Sequence, residues 1–98
     1  MRIRWTRPAL YDLEEIDEYL SKENRKLPII ILKRIRAAAG ILADHAEIGR
    51  LGRVSGTREL IVAGTSFILP YRICSNEIQI LRVLHSSRKW PSEFNVEE

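Results

Sequence analysis

The sequence has a single cysteine, Cys74, so it can form no internal disulfide bond and no cysteine-based metal cluster. Its first residues, Met1 to Trp5, lead into no apolar core of signal-peptide length. No segment approaches the roughly 18 apolar residues that span a membrane. With 98 residues and nothing that indicates a cofactor, we expect one cytoplasmic domain covering residues 1–98, without membrane association.

Lysine is scarce too, because 12 of the 16 basic residues are arginines. Arginine presents a rigid planar fork that suits carboxylate and phosphate groups, although GC-rich coding also enriches it. The charges are segregated: acids crowd residues 12–18, whereas the balance is basic from Lys33 onward, and the formal net charge is +3. This distribution favours an anionic partner, either a nucleic acid or an acidic protein segment.

Hydrophobic spacing predicts two helices after a short opening strand at residues 3–6. Thr6 offers a helix cap and Pro8 suits the first turn, and apolar residues then recur at helical spacing. Acids such as Asp12 are expected on the outer face of this helix. Pro28 opens a second apolar helical pattern, and the short linker predicts an antiparallel hairpin of two helices.

The second half of the chain predicts a glycine-containing loop at residues 43–56, followed by strands at residues 57–62, 66–73 and 77–85. Short polar turns between these strands indicate an antiparallel meander. The last strand is expected to be central, because apolar residues occupy both of its faces. Pro70 has no N–H to donate, so it predicts a bulge or an unpaired position in the middle strand.

These elements predict an α+β fold with an N-terminal strand and an antiparallel helical hairpin packed on one face of an antiparallel sheet. The opposite face of the sheet is then left free. Arg58, Arg72 and Arg82 stand on the predicted strands, and lone guanidinium groups are hard to bury in a domain this small. We therefore expect these three arginines to gather on the free face.

Several short segments form an ordered pattern along nearly the whole chain. They are Trp5-Thr6 with Ala9, Asp12-Leu13, Gly49-Arg50 with Gly52, Gly56-Thr57-Arg58-Glu59-Leu60, Tyr71-Arg72-Ile73, Ile80-Leu81 with Val83 and His85, and Arg88 with Trp90-Pro91. In this order they resemble the RelE/ParE superfamily of toxins from bacterial type II toxin–antitoxin modules, with a closer likeness to ParE. The fold that this resemblance implies is the hairpin-on-sheet layout predicted above.

The resemblance implies one of two activities. RelE-like toxins are ribosome-dependent endoribonucleases that cut mRNA, whereas ParE-like toxins poison DNA gyrase, and a small antitoxin with a disordered tail neutralises both kinds. If this chain were a nuclease, its catalytic residues would be Arg58, Arg82, His85 and Arg88, with His85 as the acid or base. A gyrase poison requires no catalytic residue at all.

The scarcity of proton-transfer groups favours the ParE-like activity. Trp90 stands where a nuclease would prefer a tyrosine, and an indole cannot shuttle a proton. Tyr11, Tyr19 and Tyr71 fall on predicted core elements, so we expect them to pack rather than to react. His85 has a structural alternative, in which it caps the end of a strand by a hydrogen bond.

The expected partner-binding surface combines cations with one exposed aromatic residue. A ParD-like antitoxin with an acidic, amphipathic tail is the expected partner, with DNA gyrase as the target and the ribosome with its mRNA as the alternative target. Arg58 has a structural alternative, an ion pair with Glu59 or another acid, and Trp90 has one in packing onto the helices. The candidate partner-binding residues are Arg34, Arg36, Arg58, Arg72, Arg82, Arg88, Lys89 and Trp90.

Overall fold

The computed structural model describes residues 1–94. Its elements are β1 (Arg2–Trp5), α1 (Arg7–Glu23), α2 (Leu27–Ile41), β2 (Arg50–Leu51), β3 (Arg58–Ile61), β4 (Phe67–Cys74), β5 (Glu77–Ile80) and β6 (Leu84–His85). The predicted element order is confirmed with two differences. The loop at residues 43–56 contains the short strand β2, and the last predicted strand is divided into β5 and β6. Within residues 1–94, neither helix is long and apolar enough to cross a membrane.

The sheet has the strand order β1-β5-β4-β3-β2, and β6 pairs with the start of β4. Strands β2 to β6 pair in antiparallel fashion, as the meander predicts. β1 instead lies parallel to β5, because the chain crosses from one to the other through both helices rather than through a turn. The predicted α+β architecture is therefore confirmed, and the sheet is mixed rather than purely antiparallel.

Thr6 joins the start of α1 to the end of β5. Its side-chain oxygen accepts a hydrogen bond from the Ala9 N–H at 3.3 Å, and Pro8 lies in the first turn, as predicted. The same hydroxyl lies 3.0 Å from the carbonyl oxygens of Ile80 and Leu81, to which it can donate. The helix therefore begins at a fixed point on the sheet.

The helical hairpin packs on one face of the sheet, which we call the covered face. In β4 this is the face of Leu69 and Tyr71. The opposite face, which we call the open face, carries Arg72, although Ile68 and Pro70 on that face are buried. Buried apolar side chains from both helices and four strand segments fill the space between hairpin and sheet. The central members of this core are Ala9, Ile35, Ala39, Leu42, Val62, Leu69, Tyr71, Ile78, Ile80 and Val83.

Of the three tyrosines expected to pack, only Tyr71 is buried. Tyr11 is 60% exposed and Tyr19 is 62% exposed, so the prediction is wrong for both. They lie beside the stripe that includes Leu13 and Ile16, and that stripe is the part of α1 that meets the core.

A β-bulge interrupts the pairing between β4 and the strands that follow it. The paired residues on either side of residues 81–83 differ in register by one, so three residues there oppose two residues of β4. Pro70 lies at this point, and its carbonyl oxygen accepts a hydrogen bond from the Leu81 N–H at 2.9 Å. The bulge predicted from Pro70 is therefore confirmed.

Tyr71 fixes the loop that connects α2 to β2. Its hydroxyl donates to the carbonyl oxygen of Ala46 at 2.7 Å and accepts from the Gly49 N–H at 2.9 Å. Burial raises the pKa of this hydroxyl above its ordinary value of 10.0, and the Gly49 hydrogen bond partly opposes that shift. A Cβ atom at position 49 would lie 2.6 Å from the Tyr71 hydroxyl, so this close approach requires glycine.

Candidate functional site

The three strand arginines do not gather on the open face, contrary to the prediction. Arg58 pairs with Tyr71 across β3 and β4, which places it on the covered face. Arg82 lies in the bulge and turns toward α1. Arg72 alone of the three lies on the open face. Strand alternation and the one-residue bulge, which changes that alternation, account for the difference.

Arg82 forms a two-point ion pair with Asp12 of α1. Its Nε and Nη2 atoms donate to the two carboxylate oxygens at 2.7 and 3.0 Å. The same carboxylate accepts the Val83 N–H at 2.8 Å. Hydrogen bonding to Asp12 raises the pKa of Arg82 above its ordinary value. Asp12 is only 9% exposed, so the expected outer-face position of this acid is wrong. The contact holds α1 against the bulge.

Arg58 holds the same loop that Tyr71 contacts. Its Nη1 atom donates to the carbonyl oxygens of Glu47 at 3.2 Å and Gly49 at 2.8 Å, and its Nη2 lies 3.6 Å from the Glu47 carboxylate. The alternative, an ion pair with Glu59 or another acid, is confirmed for another acid, Glu47, and not for Glu59, because neighbouring strand residues project to opposite faces. Arg58 is thus engaged by loop carbonyls rather than presented to solvent.

Most of the candidate residues near the C-terminus line one groove of about 600 Å³. Its walls come from α1, the start of α2, the turn between β3 and β4, and the segment from Arg82 to Lys89. The floor is apolar, with Ile16, Leu27 and Phe67 among its residues. The groove brings together three candidate cations, the candidate acid or base His85 and an unpredicted tyrosine, but not Arg58. These residues are Arg82, Arg88, Lys89, His85 and Tyr19.

His85 forms a hydrogen bond at the end of β6, as its structural alternative predicts. Its Nδ1 atom accepts a hydrogen bond from the Ser87 N–H at 3.2 Å and lies 2.7 Å from the Ser87 hydroxyl oxygen. The neutral ring therefore carries its proton on Nε2. Its edge meets the ring of Phe67 at a centroid distance of 5.6 Å. Within residues 1–94, Nε2 has no hydrogen-bond partner, so this atom is available to a ligand.

Trp90 folds back onto Arg53 rather than onto the helices. The Arg53 guanidinium carbon lies 3.6 Å from the centre of the indole, and the Trp90 Nε1 donates to the His85 carbonyl oxygen at 3.3 Å. Arg53 in turn contacts Glu59, which is 3% exposed and also accepts two hydrogen bonds from Arg50. Trp90 is therefore half-buried and anchored, while Arg88 and Lys89 remain exposed.

The two candidate arginines of α2 are exposed and lie apart from each other. Arg34 reaches Gly64 in the turn between β3 and β4, where its guanidinium leaves no space for a side chain. Arg36 lines a shallow crevice between the helices, together with Asp17 and Ile29. Both can meet a partner that lies along the hairpin, but neither belongs to the groove around His85.

Arg72 belongs to a network on the open face. Its Nε donates to Gln79 Oε1 at 2.6 Å, and Gln79 Nε2 donates to Glu77 Oε2 at 2.8 Å. That carboxylate oxygen also accepts from Arg4 Nε at 2.8 Å. Hydrogen bonds from Gln79 and then from Arg4 lower the pKa of Glu77 below its ordinary value of 4.5.

Sequence reasoning missed the polar residues that hold these arginines. Asp12 lies three residues after Ala9 and four before Ile16, so its helical spacing placed it on the buried side. Glu59 and Gln79 lie on strands whose neighbours on both sides are apolar or basic, but no spacing rule distinguishes a buried partner from an exposed one. The arginines that bond to these polar residues are brought to them by the fold, and a sequence pattern does not show such contacts.

Comparison with known proteins agrees with this geometry. The sequence pattern of the ParE toxin of the type II toxin–antitoxin system parDE matches residues 3–90. A putative toxin, Y4kP, from Sinorhizobium fredii is 42% identical over 90 residues, covering 92% of this chain and 93% of that protein. Toxin RelE2 from Caulobacter vibrioides is 30% identical over 87 residues, covering 89% of this chain and 97% of that protein.

The fold is also similar to a solved structure described as a chromosomal ParDE toxin–antitoxin system from P. aeruginosa. The TM-score is 0.77 at 31% sequence identity, and the match covers 87% of this chain and 95% of the other. The family pattern, over residues 3–90, includes both helices, the paired strands and the segment that reaches Trp90. The chain therefore belongs to the ParE family of type II toxin–antitoxin toxins.

Proposed function

We propose that this toxin inhibits DNA gyrase by binding it and that it does not cut RNA. The observation that supports this most directly is that two of the four candidate nuclease residues, Arg58 and Arg82, are engaged by other groups of the protein. Arg58 bonds to loop carbonyls outside the groove that contains His85 and Arg88. Arg82 lines that groove, but its guanidinium is already paired with Asp12. Cleavage of RNA needs cations around one phosphate together with an acid and a base.

A ribosome-dependent endoribonuclease is the second candidate, and one observation favours it. Tyr19, His85 and Arg88 line the same groove, so two groups capable of proton transfer and one exposed cation share a surface. Gyrase and the ribosome are both cytoplasmic, so either target places the toxin in the cytoplasm. The two candidates differ in what the groove must do, because only the nuclease requires a titrating residue there.

Two assays with the purified toxin separate these candidates. In a gyrase supercoiling reaction, we expect supercoiling to fall and cleaved DNA to accumulate as toxin is added. In a translating ribosome extract, we expect mRNA to remain intact when its ends are mapped by primer extension. Codon-dependent cuts in the mRNA, together with normal supercoiling, would show that the toxin is a nuclease.

Replacement of His85 by asparagine tests the role of the titrating group. Asparagine retains an oxygen that can accept the Ser87 N–H, so the turn after β6 is preserved while proton transfer is removed. We expect His85→Asn to arrest growth as strongly as the natural toxin does. A folded His85→Asn protein, verified by thermal unfolding, that no longer arrests growth would instead support the nuclease.

The proposed partner that neutralises the toxin is a ParD-like antitoxin. The similarity to the solved ParDE system supports it, as does a groove with an apolar floor and exposed cations at Arg88 and Lys89. An amphipathic tail with carboxylates on one side would fit both features. We place such a tail along this groove and the hairpin, near Arg34 and Arg36.

Co-expression of the toxin with the small reading frame that neighbours its gene tests this partnership. We expect the two proteins to copurify and growth to recover. The double charge reversal Arg88→Glu with Lys89→Glu should weaken the complex, whereas Lys22→Glu, at the exposed end of α1 outside the groove, should not. Failure of the neighbour both to copurify and to restore growth would exclude it as the antitoxin.

A further inference from the structure

The open face presents a guanidinium that is held in place and still has donors to offer. Arg72 is fixed through its Nε, which donates to Gln79. Within residues 1–94, its Nη1 and Nη2 atoms have no hydrogen-bond partner. These two nitrogens carry the N–H groups that form two-point contacts with phosphate or carboxylate oxygens.

The support beneath Arg72 is built into the sheet. Gln79 is 5% exposed, and its amide is held at the other end by Glu77, whose side chain is 20% exposed. Glu77 is itself held by Arg4. A side chain that is already ordered loses less freedom on binding than a mobile one, so this arrangement favours recognition of an anion.

Further arginines lie on the same face at regular strand spacing. Arg4, Gln79 and Arg72 are paired across β1, β5 and β4, which separates the two arginine Cα atoms by about 10 Å. Arg2 lies two residues from Arg4 on the same strand and is exposed. Glu77, the acid of these three strands on this face, is already bound to Arg4 and Gln79. On this face Arg4 is thus engaged by Glu77, and the strands present Arg72 and the exposed Arg2 beside a polar row.

We propose that the open face around Arg72 binds the sugar–phosphate backbone of duplex DNA. Arg72 and Arg2, on two strands of one sheet face, can each meet a phosphate, and phosphate contacts dominate sequence-independent affinity. An acidic protein segment fits less well, because stable protein interfaces rely on central apolar or aromatic anchors, and the row around Arg72 is polar. The inference rests on the proposed function, since gyrase is bound to DNA when it is inhibited. The toxin would then contact gyrase and the DNA at the same time.

The test measures binding of the antitoxin-free toxin to a short fluorescent DNA duplex by anisotropy over a range of salt concentrations. We expect Arg72→Gln to weaken binding and to make the slope of log K against log salt about 0.9 less negative, as loss of one phosphate contact requires. Arg25→Gln is the matched control, because it removes the same charge from the exposed linker between the helices. We expect the Arg25 variant to bind like the natural toxin.

A second variant separates charge from positioning. Gln79→Leu keeps a buried side chain of similar size and leaves the charge of Arg72, but it removes the bond to Arg72 Nε. We expect weaker DNA binding with an unchanged salt slope. Thermal unfolding of both variants shows whether the sheet is intact. Binding is compared only for variants whose unfolding midpoint is close to that of the natural toxin.

Three results would overturn the proposal. They are equal effects of Arg72→Gln and Arg25→Gln, preference for single-stranded RNA over the duplex, and binding of an acidic peptide through Arg72 without binding of DNA. The gyrase assay is scored separately. Inhibition of gyrase by a toxin that does not bind DNA refutes this inference alone, whereas DNA binding through Arg72 without inhibition of gyrase refutes the proposed function alone.

Discussion

Arg58 and Arg82, on the covered face of the sheet, are used differently from Arg72, on the open face. On the covered face, Arg58 and Arg82 donate to loop carbonyls and to the carboxylate of Asp12, and these bonds hold the loop and α1 in place. On the open face, Arg72 receives support from Gln79 and keeps two nitrogens available. The same residue type therefore stabilises the fold at Arg58 and Arg82, and at Arg72 it keeps the donors that the proposed DNA contact would use.

This difference shows that a count of arginines on strands is a poor guide to a binding surface. A guanidinium contributes to binding when its donors are unused, and that depends on the partners that the fold brings to it. On the covered face, Asp12 of α1 contacts Arg82, and Glu47 of the loop after α2 contacts Arg58. Predictions about each face can therefore be tested separately, from the largest expected effect to the smallest.

The largest effect is expected for Asp12→Asn on the covered face. This change weakens a two-point ion pair and leaves Arg82 without its carboxylate partner. We expect the free energy of unfolding to fall by about 3 kcal/mol, as when one partner of a largely buried pair is removed. Urea denaturation measures it. Glu15→Gln, one turn along the same helix and exposed, is the control and should change stability little.

Tyr71→Phe is expected to have the next largest effect. It leaves the Gly49 N–H and the Ala46 carbonyl without the hydroxyl between them, at a cost of about 2 kcal/mol. The pH dependence gives a second signature. Because burial raises the pKa of Tyr71 above 10.0, its contribution is complete below that pH and is lost as pH rises through the folded-state pKa.

Denaturant titrations between neutral and strongly alkaline pH check this prediction. The natural toxin should lose stability above pH 10 more steeply than Tyr71→Phe, so the two curves should converge there. Gly49→Ala should be destabilised for a related reason, since its methyl group would collide with the Tyr71 hydroxyl. Parallel curves for the natural toxin and Tyr71→Phe would show that the hydroxyl is not responsible.

Removal of Arg53 tests the anchoring of Trp90. Arg53→Ala should destabilise the protein by only about 1 kcal/mol, since the stacking and ion-pair contacts of a half-exposed arginine are modest. The clearer expected result is greater quenching of Trp90 fluorescence by acrylamide in a Trp5→Phe background, which leaves one of the two tryptophans. Arg50→Ala also loses contact with Glu59 but makes no contact with Trp90, so it should not increase quenching.

The smallest effect on stability is expected for Glu77→Gln on the open face. The pKa of Glu77 lies below 4.5 in the folded protein, so its contribution is present above that pH and is lost as pH falls through the folded-state pKa. Thermal unfolding should therefore separate the variant from the natural toxin at neutral pH and bring them together in acid. Glu14→Gln, exposed on α1, should show no such convergence.

The sequence predicted most of the architecture because its elements carry local signals. Thr6 and Pro8 mark the start of α1, and the positive φ angles of Ser75 and Asn76 fit the tight turn expected between β4 and β5. Pro70 marks the bulge, because its missing donor is a property of the residue itself. The short strand β2 was missed, since two residues carry no detectable alternation.

The candidate site was less predictable because its geometry depends on contacts between distant residues. The bond between Arg82 and Asp12 spans 70 positions, and the network beneath Arg72 links β1, β5 and β4. A residue such as Arg58 looks the same in sequence whether it meets solvent or a loop carbonyl. His85 and Arg88 were candidates from the sequence, but the groove that they line was not predicted, because Tyr19 and Phe67 reach it from distant parts of the chain.

The bulge at residues 81–83 also determines which face of the sheet each side chain after it occupies. With it, His85 lies opposite Phe67 on the covered side and Leu84 lies opposite Ile68. Deletion of one residue there would restore regular pairing and turn His85 out of the groove to the other side of the sheet. The length of this three-residue stretch, more than its composition, thus decides which surface receives the chain's last cations.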